Sequence, residues 1–248
     1  MPRFFVSSDN IKENTVVISG DDARHISRSL RMAAGERITV CDMSLNEYDC
    51  VLSRFCDGFV EAGIVSKKKN DTEPSFHLRL YQALPKGDKL ETIVQKAVEC
   101  GACEIIPFES ERCITRIKKE NTAKKTERLM KISREAAMQC GRGVIPKVSE
   151  PVSFEEAIEG AKLADIPIFC YEGGGTEPLG SILRKRKSGS ASPTVSVVIG
   201  SEGGFSEREA LFAAGAGMIL AGLGKRILRC ETAPVFVLGC IAYEFDLQ

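Results

Sequence analysis

The sequence predicts an α/β protein in two parts: a small β-barrel of residues 1–72, then a larger domain of residues 73–248 built on a mostly parallel sheet. Three observations carry this. The first 72 residues hold short β-branched and aromatic runs separated by turn residues. From Phe76 onward strand-like and helix-like stretches alternate, which is the pattern of a parallel sheet with crossover helices. Between them Lys67 to Pro74 is polar, charged and ends in proline, so it reads as a linker.

In the first part the strand candidates are Arg3–Val6, Thr15–Ile18, Arg37–Cys41, Tyr48–Leu52 and Phe59–Val65. One helix, Asp21 to Met32, interrupts them. Ala23, Ile26 and Leu30 fall on one side of it, positioned to plug a barrel. Arg24, Arg28 and Arg31 share the other face at i, i+4 and i+7. Three arginines in a row on a free face suit a phosphate backbone, the alternative being plain solubilisation.

In the second part Phe76–Leu84 reads as a strand, Gly87–Glu99 as a helix and Cys103–Phe108 as a strand. Asn121–Cys140 is a helix with Leu129, Ile132, Ala136 and Cys140 as its apolar line. A short helix over Ser153–Glu159, a strand over Ile166–Tyr171 and a short helix from Leu179 to about Lys187 follow. The basic run Arg184–Lys187 with Ser188, Gly189 and Ser190 predicts a helix end entering a surface loop. Thr194–Ile199 is β-branched and uncharged, a strand buried on both faces. Ser206 with Glu209 three places on is a capping box that starts the next helix. Met218–Ala221 is the last strand. Thr232–Phe245 is the last helix, and it leaves almost no polar face, so it must be covered on all sides, within the domain or by another subunit.

Composition bounds the function. Charged residues are 27% and apolar ones 43%, as in a globular chain. No apolar run is long enough to span a bilayer, and Met1–Val6 lacks a signal-peptide core, so a soluble, cytoplasmic protein is expected. Ten cysteines without an export signal read as small hydrophobes rather than disulfides, and Cys100 and Cys103 lack the histidines or second pair of a zinc site, so no metal is expected. Net charge is zero, yet Arg112 to Lys147 holds eleven Lys or Arg against three Glu, an excess of eight. Segregated positive charge fits a nucleic-acid partner; a solvated helix face is the plainer alternative.

Three strand ends are glycine-rich: Tyr171-Glu172-Gly173-Gly174-Gly175, Gly200-Ser201-Glu202-Gly203-Gly204, and Gly222-Leu223-Gly224 leading into Lys225-Arg226-Ile227-Leu228-Arg229-Cys230-Glu231. Ligands of open parallel sheets sit at the carboxyl ends of strands. The spacings match neither the dinucleotide nor the P-loop fingerprint. The segments I-G-S-E-G-G-F-S-E-R-E and L-G-K-R-I-L-R-C-E-T-A resemble the signature of the RsmE family, the 16S ribosomal RNA uracil-N3 methyltransferases of the SPOUT superfamily. The likeness extends through R-F-F, H-I-S-R-S-L-R-M, L-P-K-G-D-K-L-E-T-I-V-Q-K-A-V-E-C-G-A and R-E-A-A-M-Q-C-G-R. Ser201, Cys230 and Cys100 depart from the residues common in that family.

The resemblance implies a PUA-like or OB-like barrel before a trefoil-knotted SPOUT domain, a homodimer, S-adenosylmethionine as cofactor, and 16S rRNA or the 30S subunit as partner. It places the cofactor on Tyr171, Gly200, Glu202, Gly203, Leu223, Gly224, Ile227, Leu228 and Arg229. Arg229 is the candidate to stabilise an anionic uracil, against a surface ion pair with Glu231. Glu231 is a base or positioner, or a plain helix-start carboxylate. Lys89 and Lys96 are candidate RNA or active-site contacts, and Gln139 and Arg142 candidate RNA contacts, beside Arg24, Arg28 and Arg31; for Lys89, Lys96, Gln139 and Arg142 a solvated surface is the plainer alternative. Three rivals stand: a related enzyme acting on another RNA nucleotide, a non-enzymatic ribosome assembly factor that binds RNA, and a nicotinamide dehydrogenase, which the missing dinucleotide fingerprint disfavours.

Overall fold

The structure is a computed structural model that describes residues 1–116, 119–186 and 192–247. The chain forms two compact units, Met1–Glu73 with Ala137–Ile145, and Pro74–Ala136 with Pro146–Gln248.

The first unit holds strands β1 (Arg3–Phe5), β2 (Thr15–Ser19), β3 (Arg37–Cys41), β4 (Asn46–Cys56) and β5 (Phe59–Lys69). They make one sheet in the order β1-β3-β4-β5-β2. β1 joins β3 in parallel and the remaining pairs are antiparallel. Alternation sets the core: Val16 and Ile18 face inward opposite Ala62 and Val60, with Ile38, Val40 and Leu52. Helix α1 (Gly20–Arg24) continues through Ser29 in wider π-type turns. Those turns rotate the later residues, so Ala23 and Ile26 are buried but Leu30, expected beside them, is 41% exposed. The helical path ends at Arg31, whose φ is +53°. Lys67 to Lys69, read as linker, instead belong to β5. Lys67 lies over the Tyr48 ring and Lys68 pairs with Glu47 at 3.3 Å, so cross-strand partners extend the strand.

Residues 137–145 also pack in this unit, although the sequence places them in the second part. Met138 packs against the N-terminal core. The Arg142 guanidinium is 4% exposed and is gripped from two sides by Glu73, at 2.9 and 2.7 Å. Glu73 accepts the Gly143 N–H as well.

The second unit is a parallel sheet. Its strands are β6 (His77–Ala83), β7 (Ala102–Glu109), β8 (Lys147–Val148), β9 (Val152–Ser153), β10 (Ile166–Cys170), β11 (Glu177–Pro178), β12 (Thr194–Ile199) and β13 (Ile219–Gly222). The order is β11-β13-β10-β12-β6-β7-β8, with β9 also on β7, and every pairing is parallel. The helices are α2 (Lys89–Glu99), α3 (Lys119–Cys140), α4 (Phe154–Ala161), α5 (Leu179–Arg186), α6 (Glu207–Gly215) and α7 (Thr232–Phe245). The surface loop expected at 187–190 lies outside the described residues. Covered on both faces, β10 is buried throughout and β12 from Val195 onward, which is why both read as unbroken apolar runs. α7 packs against α2, α5 and β12. Because β13, β10 and β12 are neighbours, their carboxyl ends bring the three glycine-rich segments to one stretch of sheet edge.

Candidate cofactor pocket

The three loops enclose one cavity. Tyr171, Glu172 and Thr176 line it from the loop after β10; Gly200, Ser201, Gly204 and Phe205 from the turn after β12; and Gly222 to Leu228 with Cys230 and Ala233 from the segment after β13. Glycine is needed where backbone meets backbone. A Cβ on Gly200 would lie 3.1 Å from the Gly204 Cα; at Gly222 the close neighbour is a side chain, Thr176 Oγ1, 2.8 Å from where a Cβ would stand. Gly204 adopts φ +61° and donates its N–H to the Ser201 carbonyl at 3.0 Å, which closes the turn.

Helix α6 then holds the turn in place. The Ser206 hydroxyl accepts the Glu209 N–H while Glu209 accepts the Ser206 N–H at 2.9 Å, the full capping box. Glu209 also accepts the Glu111 N–H at 2.8 Å, and Arg112 donates to the Gly203 carbonyl at 3.0 Å. The loop after β7 therefore buttresses the glycine turn.

The cavity walls mix apolar side chains with unused polar capacity. Ile199, Leu223, Ile227 and Leu228 offer an apolar lining, and Ile227 is 87% exposed at the rim. The Ser201 hydroxyl is buried and has no hydrogen-bond partner among the described residues. Cys170 and Cys230 are no nucleophiles here. Burial pushes the Cys170 thiol up to about 12, and burial with the hydrogen bond to Glu231 does the same for Cys230.

Beside the cavity lies a charged cluster. Lys89 Nζ is 2.9 Å from Glu202 and 3.3 Å from Glu231. Glu202 also accepts the Lys86 N–H at 3.1 Å. Burial alone would raise the Glu202 carboxyl, yet the hydrogen bond from Lys89, the Glu202 and Lys86 backbone N–H groups and the Lys89 charge bring it down to about 2. Glu231 is held low by its own backbone N–H, then by Cys230 and Lys89. A carboxylate held low stays ionised and accepts hydrogen bonds, but it is a weak proton acceptor. Arg229 is 84% exposed at the side chain, with its guanidinium 4.0 Å from Glu231, at the outer limit of an ion pair.

Of the residues assigned from the sequence to the cofactor, Tyr171, Gly200, Leu223, Gly224, Ile227 and Leu228 line the cavity. Glu202, Gly203 and Arg229 stand outside its lining: Glu202 turns toward α2, Gly203 rests on Arg112, and Arg229 projects outward. Residues not assigned to the cofactor also line it, Ser201, Thr176, Phe205 and Cys230 among them. Phe205 and Cys230 lie within the two recognised motifs, and Thr176 directly follows the Tyr171–Gly175 segment. Among the RNA candidates, Arg24, Arg28, Arg31 and Gln139 are exposed, with Arg24 paired to Asp21. Lys96 is bound to Glu99 at 2.9 Å. Arg142, assigned to an RNA-facing surface, is instead buried by its pairing with Glu73, so its charge is used inside the first unit.

Comparison with known proteins fits this geometry. Residues 72–242 match the RNA methyltransferase domain family. Across its whole length the chain is 32% identical to the ribosomal RNA small subunit methyltransferase E of Bacillus subtilis, covering 98% of that protein. The chain belongs to the RsmE family of ribosomal RNA small subunit methyltransferases. A further RsmE relative, from Mesomycoplasma hyopneumoniae, is 31% identical over 96% of this chain and 97% of its own. Among solved structures, the RsmE of Neisseria gonorrhoeae bound to S-adenosyl methionine superposes with a TM-score of 0.85 at 30% identity, covering 98% of this chain and 97% of that one. A putative methyltransferase from Legionella pneumophila in complex with its cofactor SAM gives 0.86 at 29% identity, with 97% and 96% coverage.

Proposed function

We propose that this RsmE-family protein transfers a methyl group from S-adenosylmethionine to N3 of one uridine in 16S rRNA of the small ribosomal subunit. The observation that carries the reading is the cavity formed by three glycine-rich strand ends. Its residues suit the cofactor. Ile199, Leu223 and Leu228 offer an apolar bed for a purine, bare backbone at Gly200, Gly204 and Gly224 admits polar groups closely, and the Ser201 hydroxyl, without a partner among the described residues, has hydrogen-bonding capacity to give.

S-adenosylmethionine supplies an electrophilic methyl group on a sulfonium. The chain's residues do the rest. The loops fix the donor so that the ring nitrogen approaches in line, and positioning of this kind is worth up to about 7–11 kcal/mol. Arg229, exposed beside the cavity, places a permanent cation where the uracil ring gains negative charge as N3 loses its proton. Glu231, kept ionised, orients the groups around it, and its depressed pKa argues against its being the main proton acceptor. The exposed Arg24, Arg28 and Arg31 support RNA phosphate contacts, although the π-type turns take them off a single 3.6-residue face.

The same reading extends to the architecture. The five-stranded N-terminal sheet is a PUA-like barrel, and the segment from β13 into α7 is the threaded part of a trefoil knot. α7 is also the face of a homodimer: Val235, Phe236 and Tyr243 are 36%, 41% and 57% exposed on an otherwise apolar helix. No described helix is long and apolar enough to cross a membrane, and small-subunit RNA as substrate places the protein in the cytoplasm.

Mass spectrometry of 16S rRNA from cells with and without the gene tests the reading, with rescue by purified protein and donor on 30S subunits. One methyl on one uracil N3, absent without the gene, is the expected result. A methyl on another nucleotide, or unchanged rRNA, refutes it.

A further inference from the structure

Lys89 reads from the sequence as an RNA or active-site contact on α2, and its surroundings engage it beside the cavity. Its ammonium sits between Glu202 Oε1 at 2.9 Å and Glu231 Oε2 at 3.3 Å, with Cys230 Sγ at 3.9 Å. These partners come from two of the three segments that enclose the cavity. In the turn after β12, Gly200, Ser201 and Gly204 line the cavity while Glu202 turns toward α2. At the other segment Cys230 lines the cavity and the next residue, Glu231, reaches the same ammonium.

We propose that Lys89 is a positioning residue for methyl-donor binding: anchored on α2, it ties the turn after β12 to the residue that opens α7, and so holds two walls of the pocket together from behind. This inference rests on the donor reading of the cavity.

Three physical points support it. Two carboxylates gathered on one ammonium repel each other once that ammonium is removed, so the tie holds the walls at their spacing. α2 is a firm anchor, since Ile93, Val94, Ala97 and Val98 are all buried. Finally, a cation in the first turn of a helix opposes the helix dipole, so the energetics of α2 alone do not account for a lysine there. The hydrogen bond with Glu202, opposed by partial desolvation and reinforced by Glu231, raises the Lys89 pKa, in keeping with a charge already engaged. A phosphate would have to compete with both carboxylates for it.

The test compares full-length parent, Lys89→Met and Lys89→Arg. Donor affinity is measured by calorimetry with S-adenosylmethionine, and affinity for a 16S rRNA fragment over a range of salt. Lys89→Met is expected to weaken donor binding about tenfold, within the range of coupled neighbours. Lys89→Arg is expected to restore most of it, and the salt dependence of RNA binding to stay as in the parent. Glu231→Gln, which leaves one of the two ties, is expected to weaken donor binding less than Lys89→Met, and it serves as the second variant should Lys89→Met not fold. Unchanged donor affinity in Lys89→Met with a salt slope lower by about one is the signature of a lost phosphate contact and overturns the inference. A parent that binds no donor overturns the donor reading together with it.

Discussion

Ser201 shows how one buried atom ties stability to binding. Its hydroxyl is buried and without a hydrogen-bond partner among the described residues, which costs the donor-free protein on the order of 1–3 kcal/mol. Ser201→Ala is therefore expected to raise the melting temperature of the free protein while weakening donor affinity several-fold, read by calorimetry and thermal melts together. Arg229 makes a different prediction. With its side chain 84% exposed and its nearest carboxylate 4.0 Å away, it does little for the fold. Arg229→Ala should leave melting unchanged and lower kcat on the order of 10²-fold, as loss of a group aimed at developing charge does. Glu202 carries one part of the acid response. Its carboxyl titrates at about 2 in the folded protein against an ordinary 4.5. A depressed carboxyl contributes stability that is complete above 4.5 and fades as pH falls toward 2. The melting-temperature gap between the parent and Glu202→Gln should thus be widest at neutral pH and close over that window. At this scale the chain is partly legible. The Ser206–Glu209 capping box can be read because both partners are three residues apart. The engagement of Lys89 cannot, because Glu202 and Glu231 are more than a hundred positions away.

Elements whose identity is fixed by local chemistry stand where the sequence places them. The β-branched run Thr194–Ile199 is a buried strand and Thr232–Phe245 is a helix over the expected span. Departures occur where distant partners decide. β5 runs on through three lysines because Glu47 and Tyr48 lie opposite them, which composition reads as linker. The helix after β2 widens at His25, so a residue spacing of 3.6 misplaces Leu30. The segment after α3 is the sharpest case. Its arginine belongs to a basic run, yet Arg142 is buried in a two-pronged pair with Glu73. Removing the arginine leaves the partly buried Glu73 carboxylate without its countercharge, though still bonded to the Gly143 and Val144 N–H groups, so Arg142→Leu should destabilise the protein by about 3 kcal/mol in urea unfolding. An exposed RNA-facing arginine would show almost no effect on stability.

For the molecule as a whole, the cavity is legible because three glycine-rich segments follow three strands that a parallel sheet brings side by side. Which loop residues face the cavity is not legible, since Thr176 and Phe205 reach it only through the fold of their turns. The apolar last helix points the same way: patterning says that it must be covered but not by what. If a second copy covers it, Phe236→Glu should shift the protein from dimer to monomer in sedimentation velocity, with the monomer keeping its secondary structure by circular dichroism. The first unit carries a consequence of another kind. It draws on Ala137–Ile145, and the Glu73 carboxylate that ends its leading stretch is neutralised by a guanidinium from that later stretch. During translation, then, the amino-terminal unit must wait, unfinished, for more than sixty further residues to leave the ribosome before its own boundary can close.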